Sequence, residues 1–525
     1  MNNACKVIWS HTLQQMVVVS EIVRGRGKAK SVTQGSEPHT TSTAINTGMW
    51  AAKTLAGALA LAFGALTAFA PALSQSVANN ALPTGGNVAA GSAAIHQSGA
   101  SMLIDQASQR AVLNWQSFNV GKDAQVHFNN AGGSTLNRVT GPEASTIMGR
   151  ITAPGQVIIS NGNGVFFGRG SMVDVGSLIA TTHSIGNEQF MAGDLSFERK
   201  GSTASVVNEG ELRAKLEGYI ALMAPEVRNQ GLIVATKGTV ALAAGEVVEL
   251  QLDPNNKLTN IRVSAGQWQA LVENKQAIEA EGGLVILSAM AARELQGSVV
   301  SNSGSINASS LTSVGGRIIL TGDAITLKDG SKITATGATG GGQVLVGGDW
   351  QGGQNAERRV FDDPMALYQA TKLTMEAGAT IDASATDKGK GGKVVLWSDI
   401  ALPNAVTAAH GSIQAQGGRQ GGDGGQIETS GADLKVDGIQ VSTLAPQGQT
   451  GEWLLDPRNI TIGGSGGGTY TATADNTQIS ATTLQTALNT TDVTVFTGTT
   501  GSQAGNITVS APITSGSTRT LTLKA

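Results

Sequence analysis

A short apolar block returns along the chain at long intervals, and it limits the possible folds more than any other feature of the sequence. The block has the form Gly-x-Val/Ile-x-Leu/Val, so its two aliphatic side chains lie two residues apart and share one face of a β-strand. It begins at six glycines: Gly218, Gly238, Gly283, Gly316, Gly342 and Gly392.

A second block, ending in Ile-x-Ala, alternates with the first. Its isoleucines are Ile233, Ile278, Ile306, Ile333, Ile381 and Ile413. Short strands separated by glycine turns, repeated about every 20 to 30 residues, predict coils that stack about 4.8 Å apart. The predicted fold is all-β, a right-handed parallel β-helix (solenoid) with hairpin and loop insertions outside the helix. An antiparallel sandwich or barrel is the main alternative, but it does not require one inward aliphatic position to repeat at long range.

The residues between the aliphatic positions vary in type. Five of them fall at one equivalent position, which we predict to face solvent: Tyr219, Thr239, Arg317, Gln343 and Lys393. Asparagines at three predicted turns, Asn208, Asn229 and Asn302, are typical of polar ladders and left-handed corners.

The composition supports a folded, turn-rich chain. Glycine accounts for 70 of 525 residues and charged residues for 14%, which is roughly twice the usual glycine and about half the usual charge. A net charge of -3 does not favour a nucleic acid or an anionic membrane as partner. The single cysteine, Cys5, lies in the opening segment, so we expect no disulfide in the mature chain.

An apolar run from Leu55 to Ala70, preceded by Lys53, predicts an export signal. The run is shorter than the roughly 20 residues of a membrane span, so we expect cleavage, in a zone marked by Ala70, Ser74 and Ala78; a retained anchor is the alternative. Residues 31–74 are therefore predicted to be spacer and signal peptide.

Residues 1–30 precede this signal and contain Trp9 and the basic cluster Arg24, Arg26 and Lys28. No globular fold requires such a segment. It resembles the extended signal-peptide region of very large exported proteins of Gram-negative bacteria, and a misplaced start codon is the alternative.

Three stretches, "VLNWQSFNVGKDAQVHFNN", "TLNRVTGPEASTIMGRI" and "GQVIISNGNGVFFGRGSMVDVGSLIATT", lie within residues 82–182. Together they resemble the capped N-terminal secretion domain of two-partner secretion exoproteins of the filamentous-haemagglutinin type, which we place at residues 75–249. The motif residues that the resemblance implies are Asn114, Trp115, Phe118, Asn137, Arg138, Asn161, Gly162, Asn163, Gly164, Phe167 and Gly168.

The family tetrapeptide Asn-Pro-Asn-Gly is replaced here by Asn161-Gly162-Asn163-Gly164. Proline presets φ in a tight turn, whereas glycine permits the turn but leaves it looser. We expect the turn to persist at a cost of about 0.5–1 kcal/mol.

The later chain contains "VLVGGDWQGG", "GGKVVLWSD", "GGDGGQIETSG" and "GEWLLDPRNITI". These resemble the central region of large exoproteins involved in haem utilisation or adhesion. We assign residues 250–460 to β-helix repeats with insertions, and residues 461–525 to a Thr/Ser/Gly-rich β repeat that we expect to be incomplete. The predicted interruptions are a hairpin at residues 247–263, a side insertion at 349–377 and a flexible loop at 417–425.

No constellation in the sequence indicates catalysis, a metal or a cofactor. The aspartates show no repeated spacing, and Asp362-Asp363 is predicted to be a solvated loop pair. His96, His127, His183 and His410 lack partners at metal-ligand spacing and are predicted at surface or turn positions. Tryptophans such as Trp115, Trp268, Trp350, Trp397 and Trp453 could stack on sugars, but cap or coil packing is the simpler interpretation.

The resemblance implies a secreted or surface-retained adhesin, not an enzyme, exported through the periplasm of a Gram-negative bacterium. Its implied partner is an outer-membrane β-barrel transporter with periplasmic recognition domains; neither the sequence nor the resemblance identifies a host receptor. The alternatives are the N-terminal part of a contact-dependent toxin and an extracellular polysaccharide-active β-helix enzyme.

Overall fold

The computed structural model describes residues 5–10, 15–20, 77–292, 295, 297–463, 477–498 and 505–525. The chain divides into two compact units, Met1–Ser74 and Gln75–Ala525. In the first unit, strands Cys5–Ser10 and Gln15–Ser20 pair antiparallel. The predicted signal run and two of its cleavage-zone residues, Ala70 and Ser74, lie outside the described residues. Within the described ranges, no helix has both the length and the apolar character needed to span a membrane.

The second unit is a parallel β-helix, as predicted, and successive coils add one strand to each of three long sheets, here called sheets A, B and C. Among the described strands of these three sheets, antiparallel pairs occur only at the N-terminal edges of sheets A and B. Sheet A consists of Ala93–Ser98, Ser101–Gln106, Gln125–Asn129, Arg150–Thr152, Met172–Val175, Glu211–Ala214, Leu232–Val234, Ala277–Glu279, Ser305–Asn307, Lys332–Thr334, Thr380–Asp382, Ser412–Gln414 and Gln440–Ser442.

The other two long sheets follow the same order. Sheet B consists of Asn87–Ala90, Arg110–Trp115, Ser134–Val139, Gln156–Ser160, Ser177–Thr181, Tyr219–Met223, Thr239–Ala244, Leu284–Ala289, Arg317–Thr321, Gln343–Val346, Lys393–Trp397, Gln426–Ser430, Glu452–Asp456, Asp492–Phe496 and Leu521–Lys524. Sheet C consists of Ser145–Ile147, Val165–Phe167, Ser205–Asn208, Glu226–Asn229, Ala270–Asn274, Ser298–Asn302, Ala324–Leu327, Lys372–Met375, Val406–Ala409 and Asp433–Lys435.

The two repeated blocks of the sequence fall in register. The six isoleucines of the Ile-x-Ala block are consecutive partners across sheet A, from Ile233 to Ile413. All six are buried in one apolar core that continues through the coils. The aliphatic residues of the first block, such as Ile318 and Leu320, join the same core from sheet B.

The glycines of the first block form a column at the corner that enters sheet B. The carbonyl oxygen of each accepts a hydrogen bond from the coil above; for example, Gly283 accepts from the amide of Arg317. A Cβ atom at Gly316 would lie only 2.1 Å from the Gly283 oxygen. Glycine recurs here because neighbouring backbones approach too closely for any side chain.

An asparagine ladder closes the end of sheet C, as predicted for Asn208, Asn229 and Asn302. The Nδ2 of Asn208 donates to Oδ1 of Asn229 at 2.8 Å. The ladder continues through Asn274, which was not among the predicted asparagines, with further bonds of 2.8 Å on both sides. None of these asparagines has a left-handed φ, so the ladder is confirmed and the left-handed corner is not.

A first insertion covers the outer side of sheet B. The predicted hairpin is confirmed, because Val247–Leu252 and Leu258–Val263 pair antiparallel. A third strand, Ser196–Glu198, pairs antiparallel with Val247–Leu252. With the helix Asn187–Ala192, they bury Tyr219 and Thr239. The prediction that these two side chains face solvent is therefore wrong, because the hairpin lies on this part of the sheet and Thr239 donates a hydrogen bond to the Leu258 carbonyl.

A second insertion covers sheet B farther along. It includes the short 3-10 segment Trp350–Gly353 and is shorter than the predicted residues 349–377, because Lys372–Met375 already belongs to sheet C. In the predicted loop at 417–425, the structure shows an isolated bridge between Gly418 and Gly421.

The C-terminal part adds the parallel strands Ile460–Gly463, Thr477–Ser480 and Ile507–Val509. It also contains a helix, Ala481–Ala487, in a region predicted to be a β repeat. The helix begins there because the Ser480 side chain accepts a hydrogen bond from the Thr483 amide, which satisfies one of the free amides of the first turn.

Candidate functional site

The predicted motif residues lie in the first coils of the β-helix, where they form three local groups. The first group caps the core. Trp115 ends its sheet B strand with 1% of its surface exposed, and its ring packs edge-on against Phe118 at 5.6 Å between centroids. The indole Nε1 donates to Oδ1 of Asn137, and Asn137 Nδ2 donates to the Ile158 carbonyl. A polar side chain is thus satisfied inside an otherwise apolar column.

The second group lies on the outer side of sheet B. Arg138 and Asn114 are strand partners. One guanidinium nitrogen of Arg138 donates to Oδ1 of Asn187 at 2.7 Å and the other to the Ile185 carbonyl at 2.7 Å. Burial lowers the pKa of Arg138 from its ordinary value. This arginine anchors the helix of the first insertion to the sheet.

The third group is the turn from Asn161 to Gly164. The Gly164 amide donates to the Asn161 carbonyl at 3.0 Å, which closes a four-residue β-turn, and Asn161 Oδ1 accepts from the Asn163 amide. Asn161 Nδ2 reaches the coil below, at the Glu143 carbonyl and Ser145. The tight turn is present with glycine in place of proline.

Gly164 and Gly162 have different constraints within this turn. Gly164 has a φ of +117°, a conformation that favours glycine, whereas a Cβ at Gly162 would meet nothing within 4 Å. Phe167 ends the next strand, Val165–Phe167, and Gly168 follows it. Phe167 is fully buried, and a Cβ at Gly168 would come within 2.2 Å of the Met148 sulfur.

A shallow groove of about 430 Å³ lies on the first strands of sheet A. Its lining includes His96, Leu103, His127 and Thr152. His127 Nδ1 lies 2.8 Å from the Thr152 hydroxyl, and His96 Nε2 lies 3.8 Å from a carboxylate oxygen of Asp105. The groove is open, and each of its two imidazoles has a polar neighbour.

Two of the four histidines, His96 and His127, line this groove. In the parts of the chain that the structure describes, no group of three or more His, Cys, Asp or Glu side chains has metal-binding geometry. His183 departs from the predicted surface or turn position: it is fully buried, and its Nε2 lies 2.9 Å from the Gly245 carbonyl oxygen. The first insertion covers it. Burial lowers its pKa below the ordinary value of 6.5, against smaller raising effects from that hydrogen bond and from Glu246.

Four of the five tryptophans named above are buried in the protein interior. Trp115, Trp350, Trp397 and Trp453 are at most 5% exposed, in agreement with the packing interpretation, whereas Trp268 is 47% exposed. Asp362 and Asp363 are exposed, as predicted.

Two buried carboxyl groups are not indicated by the sequence pattern. Glu428 and Asp456 lie on the outer side of sheet B, beneath the second insertion. Burial is the main cause that raises the pKa of Glu428 to about 8 and that of Asp456 to about 6. The neighbouring coils carry aliphatic residues at the Glu428 position, Val395 before it and Leu454 after it, so the sequence signal there is a single acidic residue within an apolar block. At the Asp456 position the preceding coil carries Ser430, so Asp456 has no such signal.

Comparison with known proteins gives concordant results. Residues 74–335 match the family model described as the TPS secretion domain, and residues 1–50 match the Extended Signal Peptide of Type V secretion system. The solved secretion domain of HMW1 from Haemophilus influenzae superposes with a TM-score of 0.55 at 27% identity, covering 71% of this chain and all of that one.

Two curated relatives from Haemophilus influenzae are each called heme/hemopexin-binding protein. One is 31% identical over 261 residues, which is 48% of this chain, and the other is 29% identical over 266 residues, which is 46%. The matched region spans 28% of the length of either relative. The likeness therefore concerns a minor part of those proteins.

Proposed function

Because this chain belongs to the two-partner secretion exoproteins, we propose that it is a secreted or cell-surface adhesin of the haemagglutinin-like kind. The observation that carries this proposal is the joint match of an extended signal peptide and a secretion domain, at residues 1–50 and 74–335. The family consists of exoproteins exported through the periplasm and the outer membrane. Its secretion domain implies a cognate outer-membrane transporter as partner.

In the proposed route, periplasmic domains of the transporter recognise the first coils, including the motif residues around Trp115, Arg138 and the turn at Asn161. The chain crosses the outer membrane unfolded and folds outside. The fold supports this order, because consecutive strands within each long sheet come from consecutive coils. Each coil needs only the preceding coil to pair with, so emerging chain can fold without waiting for distant segments.

Export is tested by producing the full chain with its transporter in a Gram-negative host and measuring the protein in the medium and on the cell surface. Deletion of residues 82–182 is expected to abolish release, while deletion of residues 461–525 serves as the control and is expected to leave export intact. Undiminished release of the first variant would refute the proposed route. Adhesion is tested separately, by binding of the released chain to erythrocytes and epithelial cells; binding no better than that of an unrelated β-helix of equal size would refute an adhesin.

The names of the relatives favour a second candidate, binding of haem or of hemopexin. The probes are haem titrated into the purified chain, followed by its Soret absorbance, and immobilised hemopexin. Saturable binding of either, together with failure of the cell-binding assay, would replace the adhesin proposal with this one. An unchanged Soret band and no retention on hemopexin would exclude the second candidate.

A further inference from the structure

Four motifs that are far apart in the sequence meet on the outer side of sheet B. They are "GGDWQGG" from Gly347, "GGKVVLWSD" from Gly391, "GGQIETSG" ending at Gly431 and "GEWLLDPRN" from Gly451. The first of them opens the segment of residues 349–370, which we call the clasp. The other three supply the surface on which the clasp lies.

The clasp is held first by apolar contact. Trp350 is fully buried and joins a cluster with Leu345, Val395, Trp397 and Leu454 of sheet B. Val360, Phe361 and Leu367 of the clasp pack against the same cluster. A Cβ at Gly352 would lie 2.7 Å from the Trp397 ring, which explains why the clasp carries glycine there, and Trp397 Nε1 donates to Gln369 at 2.9 Å.

Polar contacts reach farther along the sheet. The Gln351 amide donates to Oε2 of Glu428 at 2.9 Å, and its side chain donates to Asp456 at 3.3 Å. Arg358 forms an ion pair with Glu452 at 2.7 Å. Within the clasp, Asp349 accepts hydrogen bonds from the amides of Trp350, Val360 and Phe361, which fixes its own backbone.

These contacts join the clasp to residues that come much later in the sequence. The bonds from Gln351 span 77 residues to Glu428 and 105 to Asp456, and the pair of Arg358 with Glu452 spans 94. If the coils fold one after another from the N-terminal side, the clasp is in place before the strands that carry its acceptors, Glu428, Glu452 and Asp456, have folded. The clasp can therefore close only after the strands Gln426–Ser430 and Glu452–Asp456 have joined sheet B.

Glu428 lies on sheet B beneath the clasp and has no exposed surface. Its Oε1 accepts a hydrogen bond from Ser430 at 2.8 Å, so both oxygens are engaged. Charged or titratable groups face this region from both elements, and burial lowers the pKa of Lys393. From sheet B and its loops they are Arg317, Lys390, Lys393, Glu452 and Asp456, and from the clasp they are Asp349 and Arg358.

We propose that the clasp is a proton-linked lock, which closes over Glu428 once the later coils have formed and joins the coils from Gln343 to Asp456 into one cooperative unit. Until it closes, each coil is held by its neighbours alone. After it closes, opening any of these coils exposes the shared cluster around Trp350. The lock resists unfolding from the C-terminal side.

The sign of the proton linkage follows from burial. Glu428 has an ordinary pKa of 4.5 when exposed, and burial raises the pKa to about 8 in the closed clasp. The closed state then holds one proton more than the open state between these values, so the stabilisation is complete below pH 4.5 and declines as pH rises towards about 8. One proton corresponds to about a tenfold increase in the opening constant for each pH unit. Asp456, whose pKa is raised to about 6, adds a second proton only below that value.

The test is hydrogen exchange of the clasp amides in the purified secreted chain between pH 6.5 and 7.5, corrected for intrinsic exchange. The wild-type opening constant is expected to rise about tenfold per pH unit, while Glu428→Gln, which preserves a neutral acceptor, is expected to give a flat profile. Glu211→Gln, in an ion pair on sheet A, is the matched control and should follow the wild type. The same slope in Glu428→Gln and the wild type would overturn the proton linkage.

The order of closure is tested on the wild type alone, so it does not depend on whether a variant folds. Pulse-labelled exchange during refolding is expected to protect the Gln351 amide together with strands Gln426–Ser430 and Glu452–Asp456. Protection of that amide at the same time as strand Gln343–Val346, before the later strands, would overturn the lock. In Gln351→Ala, unfolding of the coils between these strands is expected to accelerate; an unchanged rate would likewise count against it.

Discussion

The indole nitrogen of Trp115 donates a hydrogen bond of 3.0 Å to the side-chain oxygen of Asn137, and both residues are buried. Asn137 replaces the aliphatic residue found at this column position in the neighbouring coils, Leu113 before it and Ile159 after it. The capping tryptophan is therefore the reason that the core tolerates an amide here, because each polar group satisfies the other.

Replacement of Asn137 by alanine is expected to destabilise the N-terminal coils by about 1–3 kcal/mol, because the indole N–H is left buried without an acceptor. The measurement is urea unfolding followed by hydrogen exchange of the first coils. In the double variant Trp115→Phe with Asn137→Leu, neither polar group remains, so its cost is expected to be less than the sum of Trp115→Phe and Asn137→Leu. Additive costs would show that the hydrogen bond contributes nothing.

Restoring proline at Gly162 is expected to stabilise the chain by about 0.5–1 kcal/mol, because proline presets φ and reduces the entropy of the unfolded chain. A Cβ there meets no atom within 4 Å, and Gly162 does not have a left-handed φ. Gly164→Ala is the contrasting variant and should destabilise, because φ is +117° at that residue. The measurement is the midpoint temperature of thermal unfolding of each variant relative to the wild type. A lower midpoint for Gly162→Pro would contradict the turn geometry.

Alanine at Gly316 is expected to destabilise the β-helix by about 1–3 kcal/mol, since the added methyl group overlaps the backbone of the coil below. Its Cβ would lie 2.1 Å from the Gly283 oxygen and 2.9 Å from that of Ala308. Gly162→Ala provides the control, with the same chemical change in open space. Equal stabilities of the two variants would show that the glycine column is not sterically required.

His183 is expected to make the secretion domain sensitive to acid. Its pKa is lowered in the folded chain, so its contribution to stability is present above the ordinary value of 6.5 and is lost as pH falls through the folded value. The variant His183→Gln removes the titrating group and should flatten the fall in unfolding free energy below pH 6.5. Identical pH profiles for the variant and the wild type would exclude His183 as the cause.

Much of this fold could be predicted from local pattern. The two repeated blocks specify inward aliphatic positions and close backbone approach, and both requirements are local to a coil and its neighbour. The asparagine ladder was only partly predicted, because Asn274 carries no signal until register places it between Asn229 and Asn302. The motif residues near Trp115 came from resemblance; their division into a cap, an anchor and a turn came from the structure.

What covers the outer side of sheet B was not predictable in the same way. Tyr219, Thr239 and Glu428 are polar or charged residues of types that usually lie at the surface. All three are buried beneath insertions. The sequence by itself determined the coil, because its strands pair with the adjacent coil and its glycines pack against that same coil, one repeat away. Only the tertiary structure decided which outward positions are buried, because that depends on where chain from up to 105 residues away comes to lie.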